Sequence, residues 1–284
     1  MSITTIAVIG LGQMGLGIAQ TAAQSGFELL LYDSSAVCAA AAIGKVAKSY
    51  EKQVAKGRME EGDAKAALQR LRLLDALEGT RDADLVIECV IEDAAAKGAL
   101  FQQLGAICAE RTIFASNTSS IGITELARAT GRPDRFIGMH FFNPVPVMKL
   151  VEVIRGLGTS DAVYEDVFAL AVALGKEPVT VQDSPGFVVN RILLPMINEA
   201  VFLLSEGVAS AEDIDKAMKL GCNHPMGPLA LADLIGLDTC LSILGVLYRE
   251  TGDPKYRACY LLHKMVHGGL LGVKSGQGFF RYSA

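Results

Sequence analysis

An α/β fold is what this sequence of 284 residues predicts: a mostly parallel sheet with an inserted helical hairpin, followed by an all-α C-terminal domain. Three observations predict it. From Ile3 to about Asp183, short β-branched runs alternate with amphipathic stretches, the pattern of βαβ units. A glycine-rich turn follows directly on the first of these runs. After Ser184-Pro185-Gly186 the alternation stops and the remaining residues read as helices, so a boundary falls near Asp183 and separates domains of residues 1–183 and 184–284.

The first run, ITTIAVI at residues 3–9, is β-branched and apolar and reads as a strand. Gly10-Leu11-Gly12-Gln13-Met14-Gly15 comes next, a GxGxxG ahead of a small-residue helix at 18–25. In this setting the first glycine permits a tight turn, the second lets backbone approach a pyrophosphate, and the third lets helix and strand pack closely. Together they mark the first domain as Rossmann-type, with NAD as the expected cofactor. The second strand, 28–32, ends at Asp33, eighteen residues past Gly15. A carboxylate there accepts hydrogen bonds from both adenosine ribose hydroxyls and repels a 2′-phosphate, which favours NAD over NADP.

Residues 35–73 have helical spacing and two charged faces, and are expected as a helical hairpin beside the sheet. Further strands are expected at 85–90, 112–115, 136–139, 149–154 and 179–181. The helices of the second domain are expected at 188–206, 211–219, 229–250 and 254–266.

Hydrophobic residues make up 51% of the chain, ample for two cores. A net charge of −5 leaves no basic face to follow a phosphate backbone, so no nucleic-acid partner is expected. The six cysteines, Cys38, Cys89, Cys108, Cys222, Cys240 and Cys259, form no CxxC pair and are expected as buried free thiols in a reducing compartment. The N-terminus runs into a strand with no basic leader, and no stretch approaches the roughly 18 apolar residues of a membrane span. A soluble cytoplasmic protein with no membrane partner is the expectation.

The chemistry centres on residues 135–155, RFIGMHFFNPVPVMKLVEVIR. His140 ends one strand, FFNPVP connects, and Glu152 lies in the next strand twelve positions on. If those strands pair, the carboxylate reaches the imidazole, fixes its tautomer and stabilises the imidazolium formed when the ring accepts an alcohol proton. A core histidine beside a chance glutamate is the alternative. SNTSS, Ser116 to Ser120, follows another strand end, and DSPGFVVNR places Asn190 early in the first helix of the second domain.

GLGQMG, VIED, SNTSS, HFFNPVP, KLVEVI, DSPGFVVNR and NHPMGPLALAD together resemble the 3-hydroxyacyl-CoA dehydrogenase family over essentially the whole chain. Its monofunctional bacterial branch, acting on 3-hydroxybutyryl-CoA, is similar in length and motifs. The resemblance implies hydride transfer with NAD between an (S)-3-hydroxyacyl-CoA and its 3-keto form. His140 would be the base in oxidation and the acid in reduction, with Glu152 orienting it. Ser119 and Asn190 would hydrogen-bond the 3-oxygen of the substrate and its surroundings. Glu92, Lys97, Asn143 and Lys274 would line the dinucleotide together with the glycine turn and Asp33. Ser49 and Lys56, in the helical insertion, would contact coenzyme A; from its residues alone, Lys56 in EKQVAKGR reads more readily as part of a solvated face.

Two rivals stand beside this reading. A 3-hydroxyacid dehydrogenase acting on free acids would use a lysine where this chain has Asn190, and a non-catalytic NAD-binding protein would not need Ser119, His140, Glu152 and Asn190 together. No metal is expected. Cys259, His263 and His267 recur every four residues, but no further ligand is evident, and the histidines suit a helix C-terminus. His224 reads as a turn residue, with Pro225, Gly227 and Pro228 linking two helices near the acyl end of the site. LLPMINEAVFLL and PLALADLIGLDTCLSILGVLY offer little polar face, which predicts a homodimer through the C-terminal domain, packing of the helices on one another being the alternative.

Overall fold

Residues 3–282 are described by the computed structural model. The first of its two units, Met1–Ser184, is built on β1 (Thr5–Ile9), α1 (Gln13–Gln24), β2 (Glu28–Tyr32), α2 (Ala36–Ala55), α3 (Glu61–Gln69), β3 (Leu71–Leu73), β4 (Leu85–Glu88), α4 (Ala94–Ile107), β5 (Ile113–Ser116), α5 (Ile123–Ala129), β6 (Phe136–Phe141), β7 (Leu150–Arg155), α6 (Asp161–Ala173) and β8 (Glu177–Gln182). One eight-stranded sheet runs in the order β3-β2-β1-β4-β5-β6-β7-β8. β1 to β6 pair in parallel through helical crossovers, whereas β7 is antiparallel to β6 because the connection between them is too short to cross over. The order reverses between β1 and β4. That reversal opens a crevice at the carboxyl ends of the strands, where ligands of such sheets bind.

β4 and β5 are buried at every residue, which explains why LVIE and IFAS read as continuous runs instead of alternating ones. A charge in such a run needs a partner, since an unpaired buried carboxylate costs several kcal/mol or shifts to its neutral form. Glu88 is that charge, and its partners belong to the site described below.

The inserted segment is a helical hairpin of α2 and α3, as its spacing predicts. Ser35 caps α2 by accepting from the Cys38 N–H, and Tyr50 donates to the Gln20 carbonyl at 2.7 Å, pinning α2 to α1. Its last residues form β3 on the sheet edge, where a three-residue strand is too short for period-two alternation to show. α1 begins at Gln13, earlier than the small-residue run at 18–25, because the glycine turn leads straight into the helix.

The second unit, Pro185–Ala284, comprises α7 (Val189–Ser205), α8 (Ala211–Gly221), α9 (Pro228–Ile235), α10 (Leu237–Thr251) and α11 (Tyr260–His267). The single helix expected at 229–250 is broken at Gly236, whose φ of +102° suits glycine, and the two pieces meet at 96°. The helix expected at 254–266 is a short 3-10 turn at Pro254–Tyr256 followed by α11, the intervening residues being extended. Asp215 accepts from the Leu229 and Ala230 N–H groups at the start of α9. Asp233, 1% exposed, accepts from the Phe279 and Phe280 N–H groups and the Tyr282 hydroxyl, and so ties the C-terminal segment to α9.

The helices of this unit pack on a shared core that includes Leu194, Ile197, Val201, Leu229, Leu237 and Leu244. Ile192, Leu220 and Tyr260 stay 68%, 76% and 75% exposed. All six cysteines are free, but only Cys108, Cys240 and Cys259 are buried. Cys222, at the C-cap of α8, is exposed, and Cys38 and Cys89 are half-buried at a cavity wall, so the expectation of six buried thiols is corrected. Among the described residues no single helix is long and apolar enough to cross a membrane.

Candidate active site

The glycine turn leaves β1 at the crevice. Gly10 has φ +95°, and a Cβ there would lie 2.7 Å from the Cys89 carbonyl carbon. A Cβ on Gly15 would fall 1.8 Å from the Gly10 carbonyl oxygen, so α1 lies this close to the turn only with glycine at that position. A Cβ on Gly12 meets nothing within 4 Å, and no side chain caps α1. The N–H groups and positive end of α1 therefore open onto free space, an arrangement that suits a pyrophosphate.

Beside it is a cavity of about 550 Å³ lined by Gly10, Gly12, Tyr32, Asp33, Cys38 and Ile91 among others. Asp33 projects from the end of β2. Its Oδ2 accepts from the Leu11 N–H at 2.7 Å and its Oδ1 from the Ser35 N–H at 2.8 Å. Each oxygen keeps a second lone pair for a ribose hydroxyl, so the acid anchors the turn as well as facing the cavity. Gln13 is exposed and donates through Nε2 to the Asn143 Oδ1 at 2.9 Å, with Met14 half-buried behind it. These features together fit an adenine dinucleotide.

The next group stands on the ends of β4 and β5. Glu92 Oε1 accepts from the Thr118 hydroxyl at 2.6 Å, the Ser119 N–H at 2.9 Å, the Ser120 N–H at 3.0 Å and the Ser120 hydroxyl at 2.9 Å, with the Ser119 hydroxyl at 3.3 Å. Lys97 Nζ lies 3.3 Å from Glu92 Oε2 and 2.6 Å from Glu88 Oε1. Burial works to raise the Glu92 pKa, but the Lys97 charge and the Thr118, Ser119 and Ser120 donors outweigh it and hold the carboxyl below its ordinary range. Lys97 is 1% exposed, so its ammonium faces the two carboxylates and lies beneath the surface of the crevice. Asn117 Oδ1 accepts the Phe141 N–H at 2.9 Å and binds SNTSS to the end of β6.

His140 and Glu152 are direct cross-strand partners in the antiparallel β6–β7 pair. Residues so paired project to the same face. His140 Nδ1 and Glu152 Oε2 lie 2.7 Å apart, with His140 7% and Glu152 1% exposed. Since the carboxylate can only accept, Nδ1 carries the hydrogen and the basic lone pair is on Nε2. The Phe142 ring, 4.5 Å away by centroids, flanks the imidazole. The β6–β7 connection is fastened from behind by Lys176, a buried ammonium that donates to the carbonyls of Val145 and Met148.

The other expected residues lie as follows. Ser49 and Lys56 are seven residues apart, two turns along one side of α2, Ser49 half-buried and Lys56 exposed at the C-cap. Asn190 is a buried residue of the first turn of α7. Lys274 pairs with Asp238 at 2.6 Å. His224 lies in the irregular connection between α8 and α9, next to Asn223 with φ +55°. The His263 and His267 rings lie 6.3 Å apart on α11. Sequence reasoning passed over Glu88 and Lys176, and took Ser116 only as the first residue of SNTSS. The signal for Glu88 was available in part: an acid inside the apolar run LVIECVI calls for a buried cation, and Arg81 and Lys97 flank it in sequence, of which the fold brings in Lys97.

Residues 5–184 match the family model described as 3-hydroxyacyl-CoA dehydrogenase, NAD binding domain, and residues 186–282 match 3-hydroxyacyl-CoA dehydrogenase, C-terminal domain. The chain is 56% identical over 282 residues to a probable 3-hydroxybutyryl-CoA dehydrogenase of Bacillus subtilis, with 99% of this chain and 98% of that protein covered. It is 45% identical over 285 residues to the human mitochondrial hydroxyacyl-coenzyme A dehydrogenase, covering 98% of this chain and 90% of that protein. The crystal structure of an (S)-3-hydroxybutyryl-CoA dehydrogenase from Ralstonia eutropha superimposes with a TM-score of 0.97 at 52% identity, over 100% of both chains.

Proposed function

This chain belongs to the 3-hydroxyacyl-CoA dehydrogenase family, and from that premise we propose that it interconverts (S)-3-hydroxybutyryl-CoA and acetoacetyl-CoA with NAD. The observation that carries the reading is the 2.7 Å pair of His140 and Glu152, held in register by β6 and β7. NAD supplies the hydride acceptor in oxidation and, when reduced, the donor in the reverse direction. His140 takes the hydroxyl proton on Nε2 as the C–H bond gives up its hydride, and returns it in reduction. Glu152 keeps the ring in that tautomer and balances the imidazolium charge. The Ser119 hydroxyl donates to the 3-oxygen as negative charge grows on it. Asn190 is assigned the same oxygen and its surroundings on the family pattern alone.

Gly10, Gly12, Gln13, Met14 and Gly15 would hold the pyrophosphate, and Asp33 the adenosine ribose. Glu92 and Asn143 would line the nicotinamide half, Lys97 acting on it through Glu92, and Lys274 is carried over from the family alone. Ser49 and Lys56 would receive coenzyme A, the exposed ammonium meeting a phosphate. Residues 1–183 would then serve the dinucleotide and residues 184–284 the substrate and a homodimer, the latter supported by the exposed Ile192, Leu220 and Tyr260. Six free cysteines support a reducing compartment, the cytoplasm.

The test follows NADH oxidation with acetoacetyl-CoA, with free acetoacetate and with no substrate. Turnover of the thioester alone is expected. Equal turnover of the free acid would favour a hydroxyacid dehydrogenase, and NADH binding without turnover a non-catalytic protein.

A further inference from the structure

Glu88 lies at the end of β4 and has no place in the chemistry above, yet its carboxylate is 0% exposed and fully engaged. Its Oε1 accepts from the Val90 N–H and from Lys97 Nζ, both at 2.6 Å, and its Oε2 accepts from the Ser116 hydroxyl at 2.6 Å. The Ser116 oxygen in turn accepts the Thr118 N–H at 3.2 Å. Lys97 also reaches Glu92, whose Oε1 gathers the donors of Thr118, Ser119 and Ser120. Two routes therefore lead from one buried carboxylate to the strap that carries Ser119, one through Lys97 and Glu92, the other through Ser116. A third bond fixes Val90, whose N–H would lie 2.9 Å from a Cβ on Gly10.

Burying the Glu88 carboxylate and the Lys97 ammonium, with the more exposed Glu92 leaning on that ammonium, is an expensive way to hold a strand end. Replacing such a group with apolar side chains is often neutral or stabilising, so packing alone does not account for it. What the charges add is direction: each bond ends on a donor whose place sets the SNTSS strap or the wall of the glycine turn. From this geometry we infer that Glu88 is a positioning residue, which through Lys97–Glu92 and Ser116 sets Ser119 for the 3-oxygen of the substrate. The inference rests on the function proposed above.

Glu88 acts on neither substrate nor cofactor directly. Glu88→Gln keeps the shape, removes the charge, and puts an amide where the carboxylate accepted from Lys97, Val90 and Ser116. Ser116→Ala leaves all three charges paired and cuts only the second route, so it stays informative should Glu88→Gln not fold. Two readouts are taken on each: amide hydrogen exchange at Thr118, Ser119 and Ser120 in the free protein, and kcat together with NADH affinity. Expected are faster exchange at those amides and a kcat lower on the order of 10- to 100-fold, the scale for a misplaced reacting group, with NADH affinity within about twofold of wild type.

Unchanged exchange at all three amides in a folded variant overturns the inference. So does a loss of NADH affinity as large as the loss of kcat, which would make Glu88 part of the cofactor wall. Exchange is read without substrate. If the wild type fails to reduce acetoacetyl-CoA, the proposed function fails while the strap measurement still decides whether Glu88 orders SNTSS.

Discussion

At the scale of single residues, the proposed function has His140 and Glu152 divide one task, and substitution separates them. His140→Ala removes the proton acceptor and should lower kcat on the order of 10²–10⁴-fold while NADH still binds, measured by steady-state rates and fluorescence titration. Glu152→Gln keeps shape and loses charge, so the rate should fall by less; an unchanged rate would mean that the carboxylate does not assist the ring. Asp33→Ser should weaken NADH and improve NADPH only relative to it. The same carboxylate holds the Leu11 and Ser35 N–H groups, so the turn slackens for both cofactors. Equal use of NADH and NADPH by the wild type would refute the role given to Asp33. Glu92 sets an acid limit. With its folded pKa held below the ordinary carboxylate value of about 4.3, its stabilisation of the strap is complete above that value and is lost as pH falls through the lower folded one. Glu92→Gln should therefore be less stable at neutral pH and show a shallower loss of stability in acid, read by denaturation across pH.

Elements meet at the glycine turn, and there the tolerance for added volume is small. Gly15→Ala sets a methyl 1.8 Å from the Gly10 carbonyl oxygen, so α1 must move off β1. The expected cost is about 1–3 kcal/mol of stability, with loss of NADH affinity, by denaturant titration and binding. Gly44→Ala on α2 is the control, since nothing lies within 4 Å of its added Cβ and a mid-helix glycine gives way to alanine with a gain of about 0.5–1 kcal/mol. A stable, NADH-binding Gly15→Ala protein would show that the close contact is not needed. The same scale shows what local pattern reveals. GxGxxG between strand and helix was legible because each glycine answers a backbone demand, and the His140–Glu152 pair because two strands joined by a short connection bring opposite residues together. The bend at Gly236 was not legible: both flanks carry the same apolar periodicity, and a single glycine inside it reads as tolerated.

For the whole molecule, the proposed homodimer gives a mass twice that of one chain by light scattering. Ile192→Glu or Tyr260→Glu should shift it to the monomer, whereas Val147→Glu, 71% exposed in the first unit, should leave it unchanged. A monomeric mass for the wild type at every concentration would leave those apolar side chains without this explanation. Composition, alternation and motif spacing by themselves determined the α/β class, the change to helices near Asp183, the dinucleotide turn and the opposition of His140 and Glu152 on paired strands, because these follow from periods and spacings along the chain. Tertiary structure alone decided that Lys97 faces two carboxylates under the crevice, that Glu88 joins two loops, that Lys176 fastens the β6–β7 connection, and that three of the six cysteines are less than fully buried. Such contacts join residues as far as 31 positions apart across neighbouring strands and loops. Burial then sets their energies, because a charge costs little in water and much inside the fold, and no local pattern carries that information.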